Sequence, residues 1–90
     1  MLEPILFSIT AYVDNRGSFY ESFSLQSMAD KNIHSEFVQD NHSISRRGVV
    51  RGLHYQWDEP QDKLVRVSTG SILDVVVDIR VKSKTYGKVF

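Results

Sequence analysis

Residues 64–79 read LVRVSTGSILDVVVDI, in which two runs rich in β-branched residues, 64–69 and 72–79, flank a Thr-Gly-Ser turn. Valine and isoleucine favour the pleated, half-buried surface of a strand, whereas glycine beside serine and threonine favours a turn. The stretch therefore predicts two successive β-strands.

Similar runs recur along the rest of the chain and lie between further turn signals. The additional runs of alternating or β-branched residues are 5–10, 19–23, 36–44 and 49–56, and turn residues stand at 14–17, 46–48 and 58–60. Many short runs at this spacing favour an antiparallel sandwich or barrel over βαβ units. The sequence alone therefore predicts an all-β antiparallel fold.

One short helix and one unpaired terminal strand complete the predicted elements. The helix is expected over Leu25–Lys31, with Ser24 as its N-cap and with Leu25 and Met28 on one face. Residues 86–90 indicate a turn that enters a further strand, which needs a partner for its backbone groups. We expect that truncation of the chain, or a sheet completed by another chain, accounts for this end.

Composition and charge restrict the class of protein. With 90 residues, of which 41% are hydrophobic and 24% charged, the chain suits a single domain over 1–90. Eleven basic and eleven acidic residues cancel, so nucleic acid and membranes are not expected as partners, and an anionic ligand needs a local cluster of cations. The absence of cysteine excludes disulfides and thiolate chemistry. With no signal-peptide pattern and no apolar stretch of membrane length, a cytoplasmic location is expected.

The run 49–56, VVRGLHYQ, places a cation and an imidazole in a segment that otherwise has the pattern of a buried strand. Arg51 needs a carboxylate or phosphate partner there, and a structural ion pair is as consistent with the segment as a ligand contact. A lone strand histidine such as His54 is more often a core residue than a base. Because side chains alternate, Arg51 and His54 share a pocket only if the strand is irregular, and Gly52 is a candidate bulge.

Two other pairs of polar residues are candidates for ligand contacts. Gln39 and Asn41 lie two apart and so face one side of a strand, where their amides suit sugar hydroxyl or carbonyl groups, although solvated or capping amides are commoner. Arg16 at a turn suits a phosphate, and Glu21 follows it in the same segment, DNRGSFYESF. A solvated hairpin explains Arg16 and Glu21 equally well.

A lysine and two aspartates are candidates to assist the imidazole. Lys63 begins the run KLVRV, where a lysine normally faces solvent, but close to His54 its ammonium would stabilise an oxyanion. Asp74 and Asp78 lie four apart on one face of an apolar run, so at least one needs a partner. Asp74 is a candidate for orienting His54 or holding an arginine, and structural pairing is favoured for Asp78. No catalytic metal is predicted, because His54 is followed by Tyr55 and Gln56 and not by the second histidine and the glutamate of a His-x-His metal-binding pattern.

Five blocks of the sequence together resemble one known family. They extend in order from Asp14 to Lys88 and read DNRGSFYESF, FVQDNHSIS, GVVRGLHYQ, QDKLVRVSTGSILDVVVDIR and SKTYGK. In order and spacing they are similar to the N-terminal blocks of dTDP-4-dehydrorhamnose 3,5-epimerases. The resemblance implies a cupin-like jelly roll, incomplete in this chain, that inverts C3 and C5 of dTDP-4-dehydro-6-deoxy-glucose and needs no cofactor.

The resemblance also implies roles for particular residues. His54 matches the family's base and Lys63 its enolate-stabilising lysine, while the family's substrate contacts are matched by Arg16, Glu21, Gln39, Asn41 and Arg51. The family is longer than this chain, and its C-terminal half supplies a tyrosine acid and a base-orienting aspartate that are not identifiable here. A single-centre epimerase and an inactive nucleotide-sugar-binding module therefore stay open as alternatives.

The expected partners are the dTDP-linked keto sugar and a second copy of the chain. Because a half jelly roll exposes sheet edges, we expect a homodimer formed by strand exchange. The run 5–10 is the candidate to cross to the second copy.

Overall fold

In a computed structural model, residues 3–90 of the chain are described. The regular elements are β1 (Tyr12–Asp14), β2 (Gly17–Phe19) and α1 (Leu25–Asp30). The chain divides into two units: unit 1 contains the segment up to Ser22 together with Arg66–Phe90, and unit 2 is Phe23–Val65. A two-stranded antiparallel sheet and one short helix are thus the regular structure of the described chain.

Strands β1 and β2 form a tight hairpin in unit 1. They pair antiparallel, with Tyr12 opposite Phe19 and Asp14 opposite Gly17, so that two residues form the loop. The Asp14 carboxylate accepts a hydrogen bond from the backbone N–H of Arg16 at 2.8 Å, which closes the turn as aspartate side chains commonly do. The turn predicted at 14–17 is therefore confirmed, although the strand that follows it ends at Phe19.

Helix α1 has the cap that the sequence predicts. Ser24 lies in extended backbone, and its Oγ accepts from the N–H of Ser27 at 3.0 Å, which satisfies one of the free N–H groups at the helix start. Met28 is buried on the inner face of the helix, whereas Leu25 is exposed. The predicted helix and its N-cap are confirmed. Of the two residues predicted on its apolar face, Met28 is buried and Leu25 is not.

The predicted terminal strand has a partner within unit 1. Val77 and Val89 form an antiparallel bridge, and Val76 and Phe90 exchange two backbone hydrogen bonds of 3.3 and 2.8 Å. The N–H of Gly87 donates to the carbonyl of Asp78 at 2.7 Å, so the chain reverses between them. The expectation that residues 86–90 lack a partner is therefore wrong, because they pair with the predicted strand 72–79.

The other predicted strands do not form ladders within residues 3–90. The runs 5–10, 36–44, 49–56 and 64–69 have no strand assignment, and 72–79 contributes only the bridge at Val77. A β-branched pattern indicates a surface that suits a strand, but a strand also requires a neighbouring backbone to receive its N–H and C=O groups. Local turns supply that neighbour at β1 and β2, and the other runs need a more distant one.

Very little apolar surface is buried in the described chain. Met28 is the one buried hydrophobic residue within residues 3–90, while Leu6, Val50 and Leu73 are each at least 90% exposed. The apolar faces of the predicted strands are thus open to solvent in a single chain. Among the described residues, no helix has the length and apolarity to span a membrane.

Candidate functional site

The hairpin of unit 1 presents an arginine on an open groove. The groove has a volume of about 310 Å³ and is lined by Tyr12, Asp14, Arg16, Gly17, Ser18 and Phe19. The Arg16 side chain is 86% exposed, and its Nη2 lies 2.6 Å from Oδ2 of Asp14. This side-chain hydrogen bond lowers the pKa of the Asp14 carboxyl and raises the pKa of the Arg16 guanidinium. Arg16 is therefore accessible to an anion but already shares its charge with a carboxylate.

The segment after β2 is tied to residue 66 within the same unit. Nη1 of Arg66 donates to the hydroxyl of Tyr20 at 3.1 Å across 46 residues of sequence. Glu21, the next residue, is exposed. The contact between Tyr20 and Arg66 therefore restrains the backbone that carries Glu21.

Gln39 and Asn41 meet in unit 2, as their spacing predicts. Nε2 of Gln39 donates to Oδ1 of Asn41 at 3.1 Å, and both residues are exposed. The second amide proton of Gln39, its Oε1 and the Nδ2 protons of Asn41 are further donors and acceptors that a sugar can use. The two amides thus form one polar surface, although their segment is not a strand.

Arg51 and His54 lie on either side of an irregular backbone position. Gly52 has φ +114°, a conformation that residues with a side chain rarely adopt. A Cβ placed on Gly52 would lie 3.6 Å from Nδ1 of His54, so the imidazole folds back over the glycine. The segment 49–56 is not a strand, so the strand alternation that would place Arg51 and His54 on opposite faces does not apply, and a shared pocket stays a prediction.

Lys63 follows a residue whose side chain is held by a distant contact. The hydroxyl of Ser35 donates a hydrogen bond to the carboxylate of Asp62, 27 residues away in sequence and within unit 2. Lys63 itself is exposed. Because Asp62 immediately precedes Lys63, the contact with Ser35 restrains the point from which the lysine projects.

Asp78 is the one buried charged residue within residues 3–90, and it lies at the centre of a hydrogen-bond cluster in unit 1. Nε and Nη2 of Arg80 each donate to it at 2.8 Å, and the hydroxyls of Ser83 and Thr85 each donate at 2.6 Å. These bonds, that from Arg80 first, lower the pKa of the Asp78 carboxyl far below its ordinary value. The predicted structural pairing of Asp78 is confirmed, whereas Asp74 is exposed and its role stays a prediction.

The candidate residues are distributed over both units. Unit 2 contains Gln39, Asn41, Arg51, His54 and Lys63, and unit 1 contains Arg16, Glu21 and Asp74. Within residues 3–90, no group of three or more histidines, aspartates or glutamates is arranged to hold a metal ion. Each unit therefore presents its own cationic and polar groups.

The family model described as dTDP-4-dehydrorhamnose 3,5-epimerase matches residues 2–90. The chain belongs to this family. It is 49% identical over 84 residues to the dTDP-4-dehydrorhamnose 3,5-epimerase of Methanothermobacter thermautotrophicus, a match that covers 93% of this chain and 45% of that relative.

Two bacterial members of the epimerase family are similar to the same extent. The chain is 48% identical over 87 residues to the dTDP-4-dehydrorhamnose 3,5-epimerase of Pseudomonas aeruginosa, covering 96% of this chain and 48% of the relative. It is 48% identical over 90 residues to the one of Escherichia coli K12, covering 98% of this chain and 46% of the relative. The chain thus spans just under half the length of these relatives. No solved structure matches it significantly.

Three side-chain contacts near the candidate epimerase residues were not predicted from sequence. They are the contacts of Ser45 with Arg51, Ser35 with Asp62, and Tyr20 with Arg66. Serine, tyrosine and arginine are common surface residues, and the partners lie 6 to 46 positions apart, so no periodicity connects them. In contrast, aspartate two residues before arginine, as at Asp78 and Arg80, is a local signal that sequence reasoning can use.

Proposed function

We propose that the protein to which these residues belong epimerises C3 and C5 of a dTDP-4-dehydro-6-deoxyhexose, as the names of its relatives indicate. The observation that carries the proposal is the family match over residues 2–90, with 46 to 49% identity to relatives named dTDP-4-dehydrorhamnose 3,5-epimerase. The proposed substrate is dTDP-4-dehydro-6-deoxy-glucose. The product is dTDP-4-dehydrorhamnose, and a cytoplasmic location suits this reaction on a soluble nucleotide sugar.

His54 is the proposed base of the reaction. The hydrogens on C3 and C5 are both α to the C4 ketone, so a neutral imidazole can remove each as a proton, while the C–H electron pair moves into the enolate. The imidazole becomes imidazolium in that step, and a proton delivered to the opposite face of the same carbon regenerates the ketone with inverted configuration. The position of the His54 ring against Gly52, away from regular strand geometry, supports its access to a ligand.

Lys63 is proposed to stabilise the enolate oxygen. Negative charge develops on the C4 oxygen as the proton leaves, and a positioned ammonium lowers the energy of that state. The hydrogen bond from Ser35 restrains Asp62, the residue before Lys63, and this supports a fixed backbone position for Lys63. The ketone already acidifies both carbons, so the proposal requires no cofactor. Asp74 is proposed to orient His54 or to pair with an arginine.

The nucleotide diphosphate is proposed to bind to arginines. Arg16 and Arg51 are assigned to the diphosphate, Glu21 to the nucleoside, and Gln39 and Asn41 to the sugar. Their exposure supports this assignment, because each is accessible to a ligand from solvent. The segment from Asn41 to Trp57 contains three arginines and no acidic residue, which concentrates positive charge in a chain of zero net charge.

The proposed fold of the whole protein is a cupin-like jelly roll in a homodimer, with residues 1–90 as part of one domain. The exposed apolar side chains of the predicted strands, among them Leu6, Val50 and Leu73, support it, because a closed jelly roll would cover one face of each strand. Residues 5–10 remain the candidate for exchange between the two copies.

Ligand binding and proton exchange together test the proposal. Isothermal titration of this chain should show binding of dTDP and much weaker binding of free rhamnose, since the proposed cations contact the diphosphate. Incubation with dTDP-4-dehydro-6-deoxy-glucose in deuterated water, followed by NMR, reports whether C3–H and C5–H exchange. Equal affinity for rhamnose and dTDP would exclude the assignment of Arg16 and Arg51.

A nucleotide-sugar-binding module without turnover is the second candidate function. It is favoured by the exposure of Arg16, Glu21, Gln39, Asn41 and Arg51, since these groups can hold a nucleotide sugar without any proton transfer. Binding of dTDP without exchange of either sugar proton would support the module. Exchange at C3 alone or C5 alone would instead indicate a single-centre epimerase.

A further inference from the structure

Ser45 and Arg51 make a side-chain contact around the turn that separates them. Nε of Arg51 donates to Oγ of Ser45 at 2.9 Å. The intervening turn is closed by a bond of 3.3 Å from the N–H of Val49 to the carbonyl of Arg46, and Gly48 adopts φ +84°. The hydroxyl therefore holds the inner nitrogen of the guanidinium at a defined place.

This contact decides which edge of the guanidinium remains for a ligand. A guanidinium presents donors along two edges, one containing Nε and one formed by the two terminal nitrogens. With Nε bound to Ser45, the two terminal nitrogens of the exposed Arg51 side chain remain for a ligand. Two parallel N–H groups of this kind match two oxygens of a phosphoryl group.

The partner of Arg51 also leaves its charge uncompensated. Arg16 and Arg80 each direct Nε and Nη2 to a carboxylate, of Asp14 and Asp78 respectively. Arg51 instead meets a neutral hydroxyl, in a segment where no acidic residue occurs between positions 40 and 58. Its full positive charge is therefore available to an anion, whereas that of Arg16 is shared with Asp14.

We propose that Ser45 is a positioning residue, which orients Arg51 so that its terminal nitrogens bind the diphosphate of the nucleotide sugar end-on. This inference rests on the proposed function, since it assumes a diphosphate ligand for Arg51. Ser45 does not contact the ligand itself. Its removal leaves the charge of Arg51 in place and releases the direction of the side chain.

The test combines two ligands with a series of variants of this chain. Titration with dTDP should show a loss of about three- to tenfold in affinity for Ser45→Ala, the effect of one hydrogen bond, and a larger loss for Arg51→Met. Ser45→Thr keeps the hydroxyl and should restore the parent affinity. Ser43→Ala, two residues away, is the matched control and should bind dTDP as the parent does. Affinity for thymidine, which has no phosphate, should not change in Ser45→Ala.

A second measurement reports on the contact without any ligand. In NMR spectra of the free chain, the Nε–H proton of Arg51 should exchange with water faster in Ser45→Ala than in the parent and in Ser45→Thr, because the hydrogen bond protects it. A Ser45→Ala chain that binds dTDP like the parent, or that retains slow Nε–H exchange, overturns the inference and leaves the proposed function intact. A parent chain that does not bind dTDP overturns the assignment of Arg51 to the diphosphate, and the inference about Ser45 with it.

Discussion

Replacing Gly52 with alanine should disturb His54 through the backbone and not through a steric clash. The added Cβ would lie 3.6 Å from the backbone N and from Nδ1 of His54, which is an ordinary van der Waals distance. The φ of +114° at Gly52, however, is unfavourable for any residue with a side chain, at a cost of about 1–3 kcal/mol. The smaller conformational entropy of alanine in the unfolded chain offsets about 0.4–1 kcal/mol of this.

The net cost of Gly52→Ala is therefore about 0.6–2 kcal/mol, which lowers the equilibrium constant for the present backbone conformation by about 3- to 30-fold. The imidazole resonances of His54 should shift and broaden, as followed by NMR of a chain with labelled histidine. Exchange of C3–H and C5–H of the dTDP-linked keto sugar, where the parent shows it, should slow by a similar factor.

Gly48→Ala is the control for this substitution. Gly48 also has a positive φ, of +84°, but a Cβ there meets nothing within 4 Å. Alanine at this position should carry a similar backbone cost and leave the His54 resonances where they are in the parent. If Gly52→Ala leaves the His54 resonances unchanged, or if Gly48→Ala shifts them equally, the reasoning that Gly52 places the imidazole is refuted.

Four further predictions concern the chemistry, the acid stability and the assembly of the protein. His54→Asn should abolish exchange of both sugar protons with deuterated solvent and leave dTDP affinity almost unchanged, because the base acts on the sugar; unchanged C5–H exchange would contradict this. Lys63→Met should slow the same exchange by about 10²- to 10³-fold, as loss of one oxyanion-stabilising donor typically does, and a rate within a factor of two of the parent would count against it. Because the Asp78 carboxyl has a lowered pKa in the folded chain, its stabilisation of residues 76–90 should be complete above pH 3.8, its ordinary pKa, and be lost as the pH falls further. Amide exchange rates of residues 76–90 measured against pH should show this loss, and Asp78→Asn should remove the pH dependence. Sedimentation should show a dimer, which deletion of residues 5–10 disrupts; a monomer at high concentration would argue against strand exchange.

The interactions that sequence reasoning predicted correctly are local ones. Ser24 caps α1 three residues from its partner Ser27, and Asp14 closes the turn into β2 through the N–H of Arg16. In each case a short polar side chain competes for backbone groups only a few positions away, so the neighbouring residues specify the result. Gln39 and Asn41 are also only two positions apart, and their contact joins the two side-chain amides.

Strand pairing was predicted less well, because the pattern of a strand does not identify its partner. Residues 72–79 follow 64–69 after a turn, yet the backbone of Val77 pairs with Val89. The apolar side chains that marked 49–56 as a buried strand are exposed, Val50 by 91%. Burial of such a segment depends on a second surface to cover it, and that surface is not encoded in the segment itself.

The sequence by itself determined the family, the helix with its cap, the hairpin turn and the pairing of Asp78, because each depends on residue identities at short or characteristic spacing. Only the tertiary structure decided that Gly52 turns the backbone beneath His54, that Ser45 holds Nε of Arg51, and that Ser35 reaches Asp62. These contacts require a particular path of the chain between their partners. The sequence alone leaves many such paths sterically allowed, so the loop conformations and side-chain directions of the folded chain decide which contacts form.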